Sequence, residues 1–147
     1  MNNRILYLLI FFTTFSSLKS QIKLYNIDLP YFDEKKLVKV DKVIKTTNRI
    51  NNYITQITEY NGKGEFHGVV IGFRNDQSVS FIKYYHNNIL VYSAQLFLRG
   101  KEIQKVFNYN DNGSFNGIQV YTFLNKDTNK WNKIELLFNN GRLSICC

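Results

Sequence analysis

The sequence predicts an all-β protein: an antiparallel meander of stacked β-hairpins, forming a single domain after a cleaved signal peptide. Three observations predict it. From residue 53 onward, short runs rich in Ile, Val, Thr, Tyr and Phe alternate with Asn, Gly and Asp clusters, with turn centres about a dozen residues apart. Asn-Gly stands at 61, 112, 116 and 140, a dipeptide suited to tight hairpins because both residues tolerate positive φ. Finally, "YNGKGEFHGVV" at 60–70 returns as "YNDNGSFNGIQV" at 109–120.

Residues 1–20 read as a secretory signal: Arg4, then the apolar run "ILYLLIFF", then the polar stretch "TTFSSLKSQ", with a cut expected after Ser20. The apolar run is far short of the roughly 20 residues that a membrane-crossing helix needs, and no later stretch is apolar enough to try. Residues 21–52 form an N-terminal arm or lead-in strands. "QIKLYNIDLPYF" alternates before Pro30, the only proline, as an edge strand or ordered arm would. "DEKKLVKVDKVIKTTNRI" carries a helical spacing at Leu37, Val40 and Ile44 with Asp33 as a cap, but its β-branched valines and isoleucine favour a strand.

The expected strands then follow one another: "YITQITEY", "FHGVVIGF", "VSFIKYYH", "ILVYSAQLFL", "EIQKVFNY", "FNGIQVYTF", "WNKIELLF" and "RLSIC". At an offset of 49, Tyr60 meets Tyr109, Asn61 meets Asn110, Gly64 meets Gly113, Phe66 meets Phe115, and Gly68 meets Gly117. The chain therefore reads as a duplicated four-strand unit. A lone hairpin cannot bury an apolar face, whereas hairpins stacked in series share one.

Asn112 to Gly117 followed by Tyr121 and Phe123, and Gly64 to Gly68 followed by Phe73, resemble the MORN-type repeat in its bacterial variant. There, a Gly-x-x-x-Gly spacing precedes aromatic residues. "YYHNN" at 84–88 and "FNNGRL" at 138–143 are similar to the tyrosine-rich strand and Asn-Gly turn that follow in that variant, although Ile89 stands where the turn glycine belongs. The resemblance covers residues 53 to 145 and identifies 53–147 as a repeat domain. It implies a scaffolding role or membrane-surface association and carries no catalytic residue onto this chain. Gly64, Gly68, Gly113 and Gly117 are expected to be structural turn glycines.

The chain has 19 Lys plus Arg against 11 Asp plus Glu; loss of Arg4 and Lys19 with the signal leaves 17 against 11, a net of +6. Such a field favours solubility and anionic partners. The basic residues Lys35, Lys36, Lys39, Lys42 and Lys45 lie in a stretch without aromatic residues, so a nucleic-acid stacking platform is not expected there. Cys146 and Cys147 are adjacent; neighbouring α-carbons sit about 3.8 Å apart, closer than a relaxed disulfide allows, so free thiols or a bond to another molecule are expected. "RLSICC" also reads as a strand whose partner lies elsewhere, a truncated end being one explanation.

Chemistry is sparse. Glu65 and His67 share a strand face, and a small secreted hydrolase would draw on His67 with Glu65 and Ser80, or on His86 with a serine or cysteine, but nothing in the spacing supplies a nucleophile, a base and an orienting group together. Neither a zinc signature nor a phosphate-cradling loop occurs, so no cofactor is expected. The expectation is a non-enzymatic, exported (periplasmic, envelope-associated or secreted) binding or scaffold module. It would present Phe73, Tyr84, Tyr85, Tyr121, Phe123 and Trp131 to a protein or cell-envelope partner. The alternative is electrostatic attachment to anionic lipid or polysaccharide through the lysine-rich segment.

Overall fold

The computed structural model describes residues 29–32, 38–97 and 102–144. The expected signal segment, Lys35, Lys36, and the two cysteines lie outside the described residues. Nine strands form one antiparallel sheet in chain order: β1 (Lys42–Thr47), β2 (Ile54–Tyr60), β3 (Phe66–Phe73), β4 (Val79–His86), β5 (Ile89–Leu96), β6 (Ile103–Asn108), β7 (Gly117–Asn125), β8 (Lys130–Asn139) and β9 (Arg142–Leu143). Among the described residues no helix is present, and therefore none is long and apolar enough to cross a membrane, which says nothing about barrels. Residues 42–47 of the basic lead-in form strand β1, as their β-branched residues favoured.

The asparagine contacts that close the turns are duplicated. Asn61 Oδ1 accepts from the N–H groups of Lys63 and Glu65, both at 3.0 Å. Asn110 Oδ1 accepts from Asn112 at 3.2 Å and Ser114 at 3.0 Å. Each asparagine mimics a backbone turn with its side chain. Its amide then bridges to the next turn along the same edge: Asn61 Nδ2 donates to Asn87 Oδ1 at 3.1 Å, and Asn110 Nδ2 to Asn140 Oδ1 at 2.8 Å. Gly64 and Gly113 close these turns at φ of 80° and 81°.

A strand's side chains alternate between faces, so cross-strand partners share one. The pairs Ile57 with Ile71, Ile71 with Ile82, Ile82 with Ala94, Ala94 with Val106, and Val106 with Val120 trace the buried core along one face. Tyr84 and Tyr92 lie on the same face. Residues 29–32 and 38–40 cross it as a strap. The Phe32 ring meets Tyr84 and Tyr92 edge-on at 5.2 and 5.1 Å. Val38 N–H donates to the Tyr84 hydroxyl at 2.7 Å, and the Tyr92 hydroxyl donates to the Pro30 carbonyl at 3.3 Å. Leu29 and Val38 pack on the core. We call this the strap face and the opposite one the open face.

Candidate functional site

The open face is an aromatic surface. Tyr60 stacks on Phe66 with centroids 5.4 Å apart, and Phe66 contacts Tyr85 at 5.3 Å. One unit later, Tyr109 contacts Phe115 at 5.3 Å, and Phe115 contacts Phe138 at 5.4 Å. Phe107 links into the second cluster through Phe115 and Tyr121, at 5.8 and 5.3 Å. Offset and edge-on rings at these spacings hold one another without covering layers. Phe81 lies flat on the sheet because Gly72 beneath it has no Cβ; one added there would collide with the ring. Lys83 stands with its ammonium 5.3 Å from the Phe81 centroid.

Strand carboxylates sit on one face only, while lysines occur on both. Within the nine strands the only carboxylates are Glu59 and Glu135. Glu59 follows Ile57 by two residues and Glu135 pairs with Val120, so both belong to the strap face. Lys42, Lys83 and Lys105 pair with Tyr60, Ser93 and Tyr121, and so belong to the open face.

The six aromatic residues expected to share a binding face do not. Tyr85 and Tyr121 lie half-buried on the open face, and Phe123 extends that face at 42% exposure. Tyr84 is 2% exposed beneath the strap, and burial pushes its hydroxyl up to about 12. Period-two alternation forces this outcome: Tyr84 and Tyr85 are neighbours and must point opposite ways. Phe73 packs on the core cluster. Trp131 pairs with Leu124 and is 58% exposed; it edges onto Phe97 at 4.7 Å on the side away from Phe123. Trp131, Phe97, Thr122, Glu102 and Arg74 border an open recess of about 710 Å³. The Arg74 guanidinium there donates to the carbonyls of Val79 and Leu96, so it serves the backbone before any ligand.

The lysine patch is also divided. Lys39, Lys42 and Lys45 are exposed, but Lys42 pairs with Tyr60 and Lys45 with Ile57, on opposite faces of β1. Alternation again prevents a single stripe. The structure does unite the two histidines, whose rings sit 5.3 Å apart. His67 Nδ1 accepts from the Asn87 N–H at 3.2 Å, and Glu65 Oε2 accepts from Asn61 at 2.7 Å, so both side chains serve the turns. Ser80 precedes Phe81, the partner of Gly72, whereas His67 lies beside Gly68 at the other end of the β3–β4 pair, about 20 Å along the strands, so the two do not meet. Among the described residues no group of three or more metal-ligating side chains gathers.

Glu59 was not singled out from the sequence. It is 1% exposed. Its Oε2 accepts from the Val69 N–H at 2.7 Å, while Oε1 is buried without a partner. Burial pushes its carboxyl up to about 7, against which the Val69 hydrogen bond works only partly. The available signal was a carboxylate in the alternation "ITQITEY", at the position where Ile57 predicts an inward apolar side chain. No family model, no curated protein and no solved structure matches this chain.

Proposed function

We propose that the protein is an exported, non-catalytic binding or scaffold module built from MORN-like hairpin units, whose open face docks a protein or cell-envelope partner. The observation that carries this reading is the pair of aromatic clusters on a face that bears lysines and no strand carboxylate. Aromatic side chains provide large contact area at small entropic cost, which suits a docking surface.

Phe123 and Leu124 are sequence neighbours of equal exposure, 42% each, on opposite faces, so they report on the two faces separately. A photo-crosslinking residue at 123 should capture one dominant partner in the native envelope, and the same residue at 124 should not. Capture should be lost in a Tyr85→Ser, Tyr121→Ser double variant. Equal capture from both positions would remove the reading.

The charge division favours a second reading: attachment to anionic lipid or polysaccharide, led by Lys42, Lys83 and Lys105. Binding to vesicles of an anionic phospholipid, or to a sulfated polysaccharide, should then collapse between low salt and about 0.5 M. Salt-indifferent binding would sink it.

A further inference from the structure

We propose that Glu59 is a proton-controlled latch: as a neutral acid it holds residues 38–40 against β2–β4, and on ionising it loosens them and uncovers Tyr84. The strap and the carboxyl meet directly. Gly68, at the β3 bulge, has a φ of 105°, and a Cβ built there would overlap Glu59 Oε2 and lie 2.9 Å from Val40 Cγ2. Val40 and Glu59 therefore share the small space over Gly68. Two residues away, Val38 N–H is held by the Tyr84 hydroxyl at 2.7 Å.

The surroundings offer a carboxylate little. On β3, the Val69 N–H serves one oxygen and leaves Oε1 with nothing. On β4, Tyr84 is the one titratable group whose charge couples to that of Glu59, and the same sign makes each resist ionisation of the other. On β1 and the strap, Lys39, Asp41, Lys42 and Lys45 are exposed, and among the described residues no cation contributes to holding Glu59 ionised. A charge formed here needs water at Oε1. Strands β2 and β3 are locked in the ladder, whereas residues 38–40 lie outside it, so the strap is the part that yields.

The duplicated unit supplies an internal control. At the offset of 49, Asn108 takes the place of Glu59 and Ile118 that of Val69. Asn108 Nδ2 donates to the Ile118 carbonyl at 2.6 Å, so a neutral amide closes the same bulge. The fold therefore does not require a titratable group at this position.

The test uses the purified full-length protein and two wild-type readings by NMR: the Glu59 carboxyl carbon shift, and hydrogen-exchange protection of the Val38 amide, both followed from pH 5 to pH 9. The latch predicts that Val38 protection falls by at least about tenfold along the same curve as the Glu59 titration, while the core amide of Ile82 stays protected. In Glu59→Gln, Val38 protection should not vary with pH once corrected for intrinsic exchange. Constant Val38 protection across the Glu59 titration, a carboxyl that titrates in the ordinary range, or simultaneous loss at Val38 and Ile82 would each overturn the proposal. Because the first two readings come from the native chain, failure of the variant to fold does not shield it.

Discussion

The first unit, β2–β5, and the second, β6–β9, share the Asn-centred geometry of their first turns and differ in what lies on them. In the first, strands β3, β4 and β5 bury most of their strap-face residues beneath Phe32 and Val38. In the second, β8 exposes eight of its ten residues, Trp131, Ile134 and Leu137 among them. Local turn chemistry is therefore enough to specify a hairpin but not a core. A core forms where a second layer reaches, and here that layer is a few residues of strap. The contrast extends to the bulge: a carboxylate under cover at Glu59, an amide at Asn108.

The largest break in symmetry should come from the core. Ile82→Ala is expected to destabilise by about 2–5 kcal/mol, against less than about 0.5 kcal/mol for Ile134→Ala, read by urea unfolding. Comparable losses would mean that the second unit is covered as fully as the first.

The next contrast is in pH dependence. Because the folded state raises the Glu59 carboxyl from 4.5 to about 7, the folded protein binds this proton more tightly than the unfolded chain. Its stabilising share is complete below pH 4.5 and is lost as pH rises through about 7, a swing on the order of 3 kcal/mol. Glu59→Gln should remove that slope, and Asn108→Asp should import one of the same sign. Unfolding curves at pH 5 and pH 8 decide this; an unchanged slope in Glu59→Gln would locate the effect elsewhere.

The bulge glycines come third. Gly68 and Gly117 both have positive φ, 105° and 87°, but a Cβ at 117 would meet nothing nearer than Asn108 Cβ at 3.7 Å. Gly117→Ala should cost about 1 kcal/mol, from backbone strain alone, and Gly68→Ala about 2–3 kcal/mol, because it also displaces Glu59 and Val40. The smallest expected effect is the symmetric one. Asn61→Ala and Asn110→Ala should each cost about 1 kcal/mol and agree within about 0.5, since their turn-closing and bridging bonds correspond and the additional one, from Asn61 Nδ2 to Glu65 Oε2, lies at a partly exposed turn. A clear difference between them would show that the turns are not energetic copies.

The strands and turns were legible in the sequence because Asn, Gly and β-branched residues act locally. Every expected strand from "YITQITEY" to "WNKIELLF" reappears within a residue or two. The aromatic face was less legible. Assigning Tyr84 and Tyr85 to one surface ignored alternation, and bulges such as that at Gly68 shift the alternation in ways that composition does not announce. The strap was not legible as a covering layer, because its partners Tyr84 and Tyr92 are dozens of residues away. For the same reason nothing local set Glu59 apart as a buried acid.

The strict chain order of the sheet bears on how the molecule assembles. Every strand pairs only with its neighbours in sequence, so each hairpin closes a short loop and contact order stays low for an all-β chain. Folding can begin at any of the Asn-centred turns and spread outward, as in repeat arrays. The strap is the exception: it spans 46 residues from Val38 to Tyr84, 62 from Pro30 to Tyr92 and 104 from Tyr31 to Glu135. Its docking sites exist only after several hairpins have joined. The strap should therefore be the last to find its place, and in a refolding experiment its signals should lag behind those of the sheet.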